Sequence, residues 1–101
     1  MGFGNFAKMA QQMQADMARA EKELTELQVE GTSGGGAVRV TATGKRDITA
    51  IEIKPEVVDP DDVEMLQDLV VAAVSEALNQ AKATAEAKMG RVTGGLKIPG
   101  L

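Results

Sequence analysis

Residues Val29 to Asp47 read VEGTSGGGAVRVTATGKRD, and the reading of this stretch decides the fold. Its Gly34-Gly35-Gly36 run and its Gly44-Lys45 pair suggest a phosphate-binding loop at first sight. A Walker loop, however, needs a glycine where Arg39 stands, and Lys45 is followed by Arg46-Asp47, with no Ser or Thr to hold a metal. The dinucleotide fingerprint fails at the same residue, since Arg39 would have to be small and the glycines lead into a strand rather than a helix. What remains is turn chemistry. Val38, Val40 and Ala42 alternate with Arg39, Thr41 and Thr43, the period of a half-buried strand, and glycine supplies the positive-φ geometry of a hairpin.

Beyond GKRD a further strand alternates Thr49, Ile51 and Ile53 against Ala50, Glu52 and Lys54, and Val29 belongs to a strand before the glycines. Connections this short make antiparallel hairpins, so the expected sheet order is first, second, third. Pro55 ends the meander. The following DPDD predicts a helix capped by Asp59, with Pro60 at its first position and Asp61, Asp62 and Glu64 at the positive end of its dipole. The same acids are mis-spaced for an EF-hand, because Val63 stands where an oxygen ligand is needed and Glu64 where the loop glycine belongs.

Leu66, Val70, Ala73, Ala77, Ala81 and Ala85 form one stripe of this helix, and the first breaker is Gly90. Upstream of the meander, Phe3, Phe6, Ala10, Met13, Met17, Ala20, Leu24 and Leu27 recur in steps of three and four, with Lys8, Gln12, Arg19 and Lys22 on the other side. That is a long amphipathic helix, expected to start at an Asn5 cap with Phe3 just outside it. The fold class is therefore α+β, in the order α-β-β-β-α. Residues 1–90 are expected to be one domain and 91–101 a mobile, Gly-rich basic tail.

Composition narrows the function. The 101-residue chain has no Cys, His, Tyr or Trp, which removes disulfides, zinc clusters, thiol nucleophiles and the usual general base near neutral pH. No cofactor or metal is implied, and an enzyme is not expected. Its longest apolar run, Leu69 to Val74, is far below the roughly 20 residues that span a bilayer. The initial MGFGNF lacks both the charged region of a signal peptide and the full myristoylation pattern, so a cytoplasmic location is expected and no membrane partner. Net charge is −4, and the acids crowd between Glu56 and Asp68, leaving basic surface elsewhere.

Dimensions imply a partner. Helices of about 23 and 30 residues run roughly 35 and 45 Å, whereas a three-stranded sheet of this strand length measures about 20 by 14 Å. Their apolar stripes overhang the sheet, and a second copy of the chain is the economical cover. The expected homodimer interface draws on Phe6, Met9, Met13 and Met17 of the first helix and Val70, Ala73 and Ala77 of the second.

VEGTSGGGAVRVTATG, IEIKPEVVDPDDVEMLQDLVVAAVSEA, the spacing between them, the Met/Gln-rich first helix and the terminal KIPGL together resemble the YbaB/EbfC nucleoid-associated proteins across essentially the whole chain. The resemblance implies a small homodimer with projecting helical arms that binds double-stranded DNA and changes its conformation, with roles in nucleoid organisation and gene regulation. It carries over no single DNA-reading motif. Charge then selects Lys8, Arg19 and Lys22 on the first helix, Lys82, Lys88 and Arg91 late on the second, Lys97 in the tail and, more weakly, Lys45 and Arg46 in the hairpin. With Phe3 and Phe6 the only aromatic residues, contacts are expected to be to backbone and shape rather than to stacked bases. The competing reading is a protein-interaction module accessory to replication or recombination proteins, which the acidic net charge favours.

Overall fold

The computed structural model describes residues 2–93, and side chains from 4 to 90. Helix α1 (Gly2–Glu26) leads into strands β1 (Gln28–Ser33), β2 (Val38–Thr43) and β3 (Ile48–Ile53), and helix α2 (Val63–Thr93) ends the described chain. The strands form one antiparallel sheet in the order β1-β2-β3, as the short connections require. The molecule measures 73 × 27 × 16 Å, so the helices do overrun the sheet.

The core is small and lies where α2 crosses β1 and β2. Val38, Val40 and Ala42 of β2 and Ala73 and Ala77 of α2 are fully buried, flanked by Val29, Leu66, Leu69, Val70 and Val74. Gly31 of β1 makes this contact possible. A Cβ at that position would collide with the Ala73 carbonyl oxygen and the Ala77 amide of α2, so the helix backbone rests on the strand itself. The Ser33 hydroxyl donates to the Leu69 carbonyl at 2.6 Å, tying the end of β1 to the same helix.

Gly34, Gly35 and Gly36 all have positive φ, as the hairpin reading requires. The second hairpin is built differently. There the positive φ, 69°, falls on Arg46, whereas Gly44 is needed for close approach. Its amide donates to the Leu24 and Leu27 carbonyls at 2.9 and 3.2 Å, and a Cβ would press on Leu24. The turn thereby satisfies carbonyls at the C-terminal end of α1 that no helical amide reaches.

Three boundaries differ from the sequence reading. Helix α1 begins at Gly2, so Phe3 is helical and Asn5 is interior rather than a cap; once a helix is nucleated, each added residue contributes a hydrogen bond. Helix α2 begins at Val63, not after Asp59. Asp59 instead accepts the Asp61 amide at 2.9 Å in a turn containing Pro60, and Asp62 is the cap, accepting the Met65 amide at 3.1 Å. Both aspartates satisfy the local requirement, and the turn places the helix start one turn later. At its other end α2 passes through Gly90 to Thr93, since an interior glycine costs only about 1 kcal/mol. Residues 94–101 of the expected tail lie outside the described residues.

Candidate nucleic-acid interface

The two helices run antiparallel. Leu27 shares a groove with Ala83, Thr84 and Ala87, and one turn back along α1 the Lys88 ammonium meets the Glu23 carboxylate at 2.6 Å, so residue numbers fall along α1 as they rise along α2. Buried Leu24 and Ala20 continue this seam. Beyond it α1 is uncovered: residues 4–12 are exposed without exception, with Phe6 73% and Met9 71% exposed. The N-terminal half of α1 is thus a projecting arm.

Cations are distributed along α1. Lys8, Arg19 and Lys22 fall within about 60° of one another at 100° per residue, on the side of α1 turned away from Leu24, and all three are exposed. Lys8, Lys22 and Lys82 form no ion pair with any described residue. Arg19 lies 3.5 Å from Asp16, an exposed pair of little strength. Lys88 is committed differently. It hydrogen-bonds Glu23 across the helix seam, and that hydrogen bond, then its charge, hold the Glu23 carboxyl below the usual carboxylate range.

The β2–β3 turn brings Lys45 and Arg46, both exposed, to the foot of α1 through the Gly44–Leu24 contact. Arg91 is in α2, but its side chain, like Lys97, lies outside the described residues. Of the residues expected at a dimer interface, Phe6, Met9 and Met17 are exposed and Met13 partly so, whereas Ala73 and Ala77 are fully buried against the chain's own sheet and Val70 packs beside them. The two alanines therefore have no surface to offer a second copy.

The tip of the arm differs in composition from the rest of the chain. All 15 carboxylates of the chain follow residue 15, while Asn5, Gln11, Gln12 and Gln14 cluster before it, all exposed. The arm tip is therefore carboxylate-free and amide-rich in an acidic chain, a surface that suits a polyanion. The position of the first acid, Asp16, was the available signal.

Among the described residues no group of acids is placed to hold a metal ion, and no helix is long and apolar enough to cross a membrane. The exposed part of α1 thus combines a tip with no carboxylate before Asp16 and the cations Lys8, Arg19 and Lys22 along one face of the helix. A family model described as the YbaB/EbfC DNA-binding family matches residues 1–96. The chain belongs to that family. Among YbaB/EbfC relatives, a nucleoid-associated protein of Acetivibrio thermocellus is 59% identical, over 99% of this chain and 93% of its own. A nucleoid-associated protein of Pelotomaculum thermopropionicum is 56% identical, over 97% and 96%. In shape, this YbaB/EbfC chain is similar to the crystal structure of an uncharacterized Helicobacter pylori protein, HP0035, with a TM-score of 0.81 at 18% identity, over 93% of this chain and 99% of that one.

Proposed function

We propose that the chain is a nonenzymatic nucleoid-associated protein that binds double-stranded DNA as a homodimer, acting in the cytoplasm on the nucleoid. It binds mainly through backbone contacts and alters DNA conformation, contributing to nucleoid organisation and gene regulation. The observation that carries this reading is the α1 arm of a DNA-binding-family chain, with Lys8, Arg19 and Lys22 exposed on one face and no carboxylate before Asp16. Lys82 of α2 and Lys45 and Arg46 at the arm's foot extend the same surface, and Arg91 near the end of α2 and Lys97 in the Gly-rich basic segment after it add to it. Lys88 contributes less, because contact with phosphate would cost it the Glu23 pair.

Salt titration tests the mode of contact. If about six phosphates are engaged, log affinity falls against log salt with a slope of about −5. Changing Lys8, Arg19 and Lys22 together to Glu abolishes duplex binding at moderate salt under this reading. Wild-type affinity in that variant would falsify the arm assignment.

A second reading, a protein-interaction module accessory to replication or recombination proteins, is favoured by the exposure of Phe6 and Met9. Its signature is an absence of duplex binding at low salt together with stoichiometric binding of a purified replication or recombination protein.

A further inference from the structure

The cationic side of α1 carries more than cations. At 100° per residue, Gln11, Lys22, Ala15, Lys8 and Arg19 lie in that order around the helix within about 80° of one another, and all five are exposed. Phe6, Met13 and Met17 lie on the opposite side, so cover of that apolar stripe leaves this face open. Along the axis Lys8 stands at one end, with Arg19 and Lys22 roughly 16 to 21 Å away at the other. Glu26 ends the face one turn beyond Lys22.

Between the cations the face offers Gln11 and Ala15, with Gln12 and Ala18 at its margins, all exposed. The carboxylate nearest its middle, Asp16, is already engaged: it accepts the Gln12 side-chain amide at 3.1 Å and pairs with Arg19 at 3.5 Å. Gln11 makes no side-chain hydrogen bond to any described residue. A helix that met phosphates alone would gain from a cation on every turn. Here the charges stand at the ends, and the middle is a small residue beside a free amide. That arrangement suits a helix whose ends reach the two phosphate strands bordering a groove while its centre approaches the base edges. With side chains a helix is about 10–12 Å across, which fits the major groove, about 12 Å wide, and not the minor groove, about 6 Å wide.

We propose that α1 lies in the major groove of double-stranded DNA with Gln11 on the groove floor, where its amide reads adenine and confers a preference for an A·T pair. This rests on the reading of α1 as a DNA-binding surface and deepens it. Lys8, Arg19 and Lys22 supply affinity and its salt dependence through phosphates, and Gln11 supplies discrimination. The Gln11 side-chain nitrogen donates to adenine N7, and its oxygen accepts from the adenine N6 amino group. Guanine presents two acceptors, N7 and O6, at the same places and leaves the Gln11 oxygen without a donor. Gln12, held by Asp16, is not placed to substitute.

Fluorescence anisotropy with short duplexes tests this on the full chain. Wild type binds an alternating A·T duplex about tenfold more tightly than an alternating G·C duplex of the same length at the same salt. Replacing adenine by 7-deazaadenine removes the N7 acceptor, leaves the minor-groove edge unchanged and abolishes the preference. Gln11→Ala binds the two natural duplexes equally, with wild-type affinity for the G·C duplex and an unchanged salt slope. Gln11→Arg reverses the preference, because arginine pairs with guanine N7 and O6, an outcome that damage to the helix does not produce. If wild type binds A·T and G·C duplexes equally, or if its preference survives in Gln11→Ala or on the 7-deazaadenine duplex, the Gln11 assignment is overturned while DNA binding stands. Absence of binding to either duplex at low salt overturns both.

Discussion

Strands β2 and β3 have the same length, neighbouring positions in one sheet and similar apolar content, yet Val38, Val40 and Ala42 are fully buried and no residue of β3 is. The difference arises outside both strands. Gly31 lets the α2 backbone descend onto β1, which centres the helix over β1 and β2 and leaves β3 beyond its reach. A strand's own pattern states which face is apolar, and the position of a neighbouring element decides whether that face is covered.

The comparison is broken most severely at Gly31. Gly31→Val drives a side chain into the α2 backbone and is expected to cost about 3 kcal/mol or more, read as a lowered denaturation midpoint with helix α2 displaced from the sheet. Next in size is the contrast between the strands themselves. Val40→Ala opens a cavity in the core and costs about 2 kcal/mol, whereas Ile51→Ala costs less than about 1 kcal/mol in the separate chain.

Asp62→Ala sharpens the account of where α2 begins. It removes the acceptor for the Met65 amide and is expected to lower stability by about 1 kcal/mol, with Asp59→Ala costing less because that residue closes only a turn. Equal losses would return the cap to Asp59. The smallest effect is at the α1–α2 seam. Glu23 titrates below the usual carboxylate range because of the Lys88 hydrogen bond and charge, so its contribution is complete above the unfolded carboxylate pKa and fades as pH falls through the lower folded value. An NMR titration checks this, and Lys88→Met should return Glu23 to an ordinary value. No large stability change accompanies it, because the carboxylate is exposed to solvent.

Much of this molecule was legible in its chain. Alternation at Val38, Val40 and Ala42 identifies a strand and its buried face, the three- and four-residue steps from Phe6 to Leu27 identify α1, and the glycine run identifies the first hairpin. In each case a local period carries the signal, and a local period survives in the one-dimensional string. The cap at Asp62 was less legible because DPDD offers two acceptors one turn apart, and only the turn around Pro60 selects between them. The candidate DNA surface was legible as charge but not as geometry: Lys8, Arg19 and Lys22 could be placed on one helix face, whereas the commitment of Lys88 to Glu23 required knowing that the two helices meet there.

By itself, then, the order of residues determined the α-β-β-β-α succession, the antiparallel meander, the apolar and cationic sides of α1 and the absence of His and Cys chemistry. Tertiary structure alone decided that Ala73 and Ala77 face Gly31 rather than a second copy, that Gly44 closes the end of α1, and that a bulge at Thr49 sets Ile48 beside Ile51 and Ile53. The physical reason is common to all three. They depend on contacts between residues far apart in the chain or on a one-residue change in strand register, and neither leaves a periodic trace in the sequence.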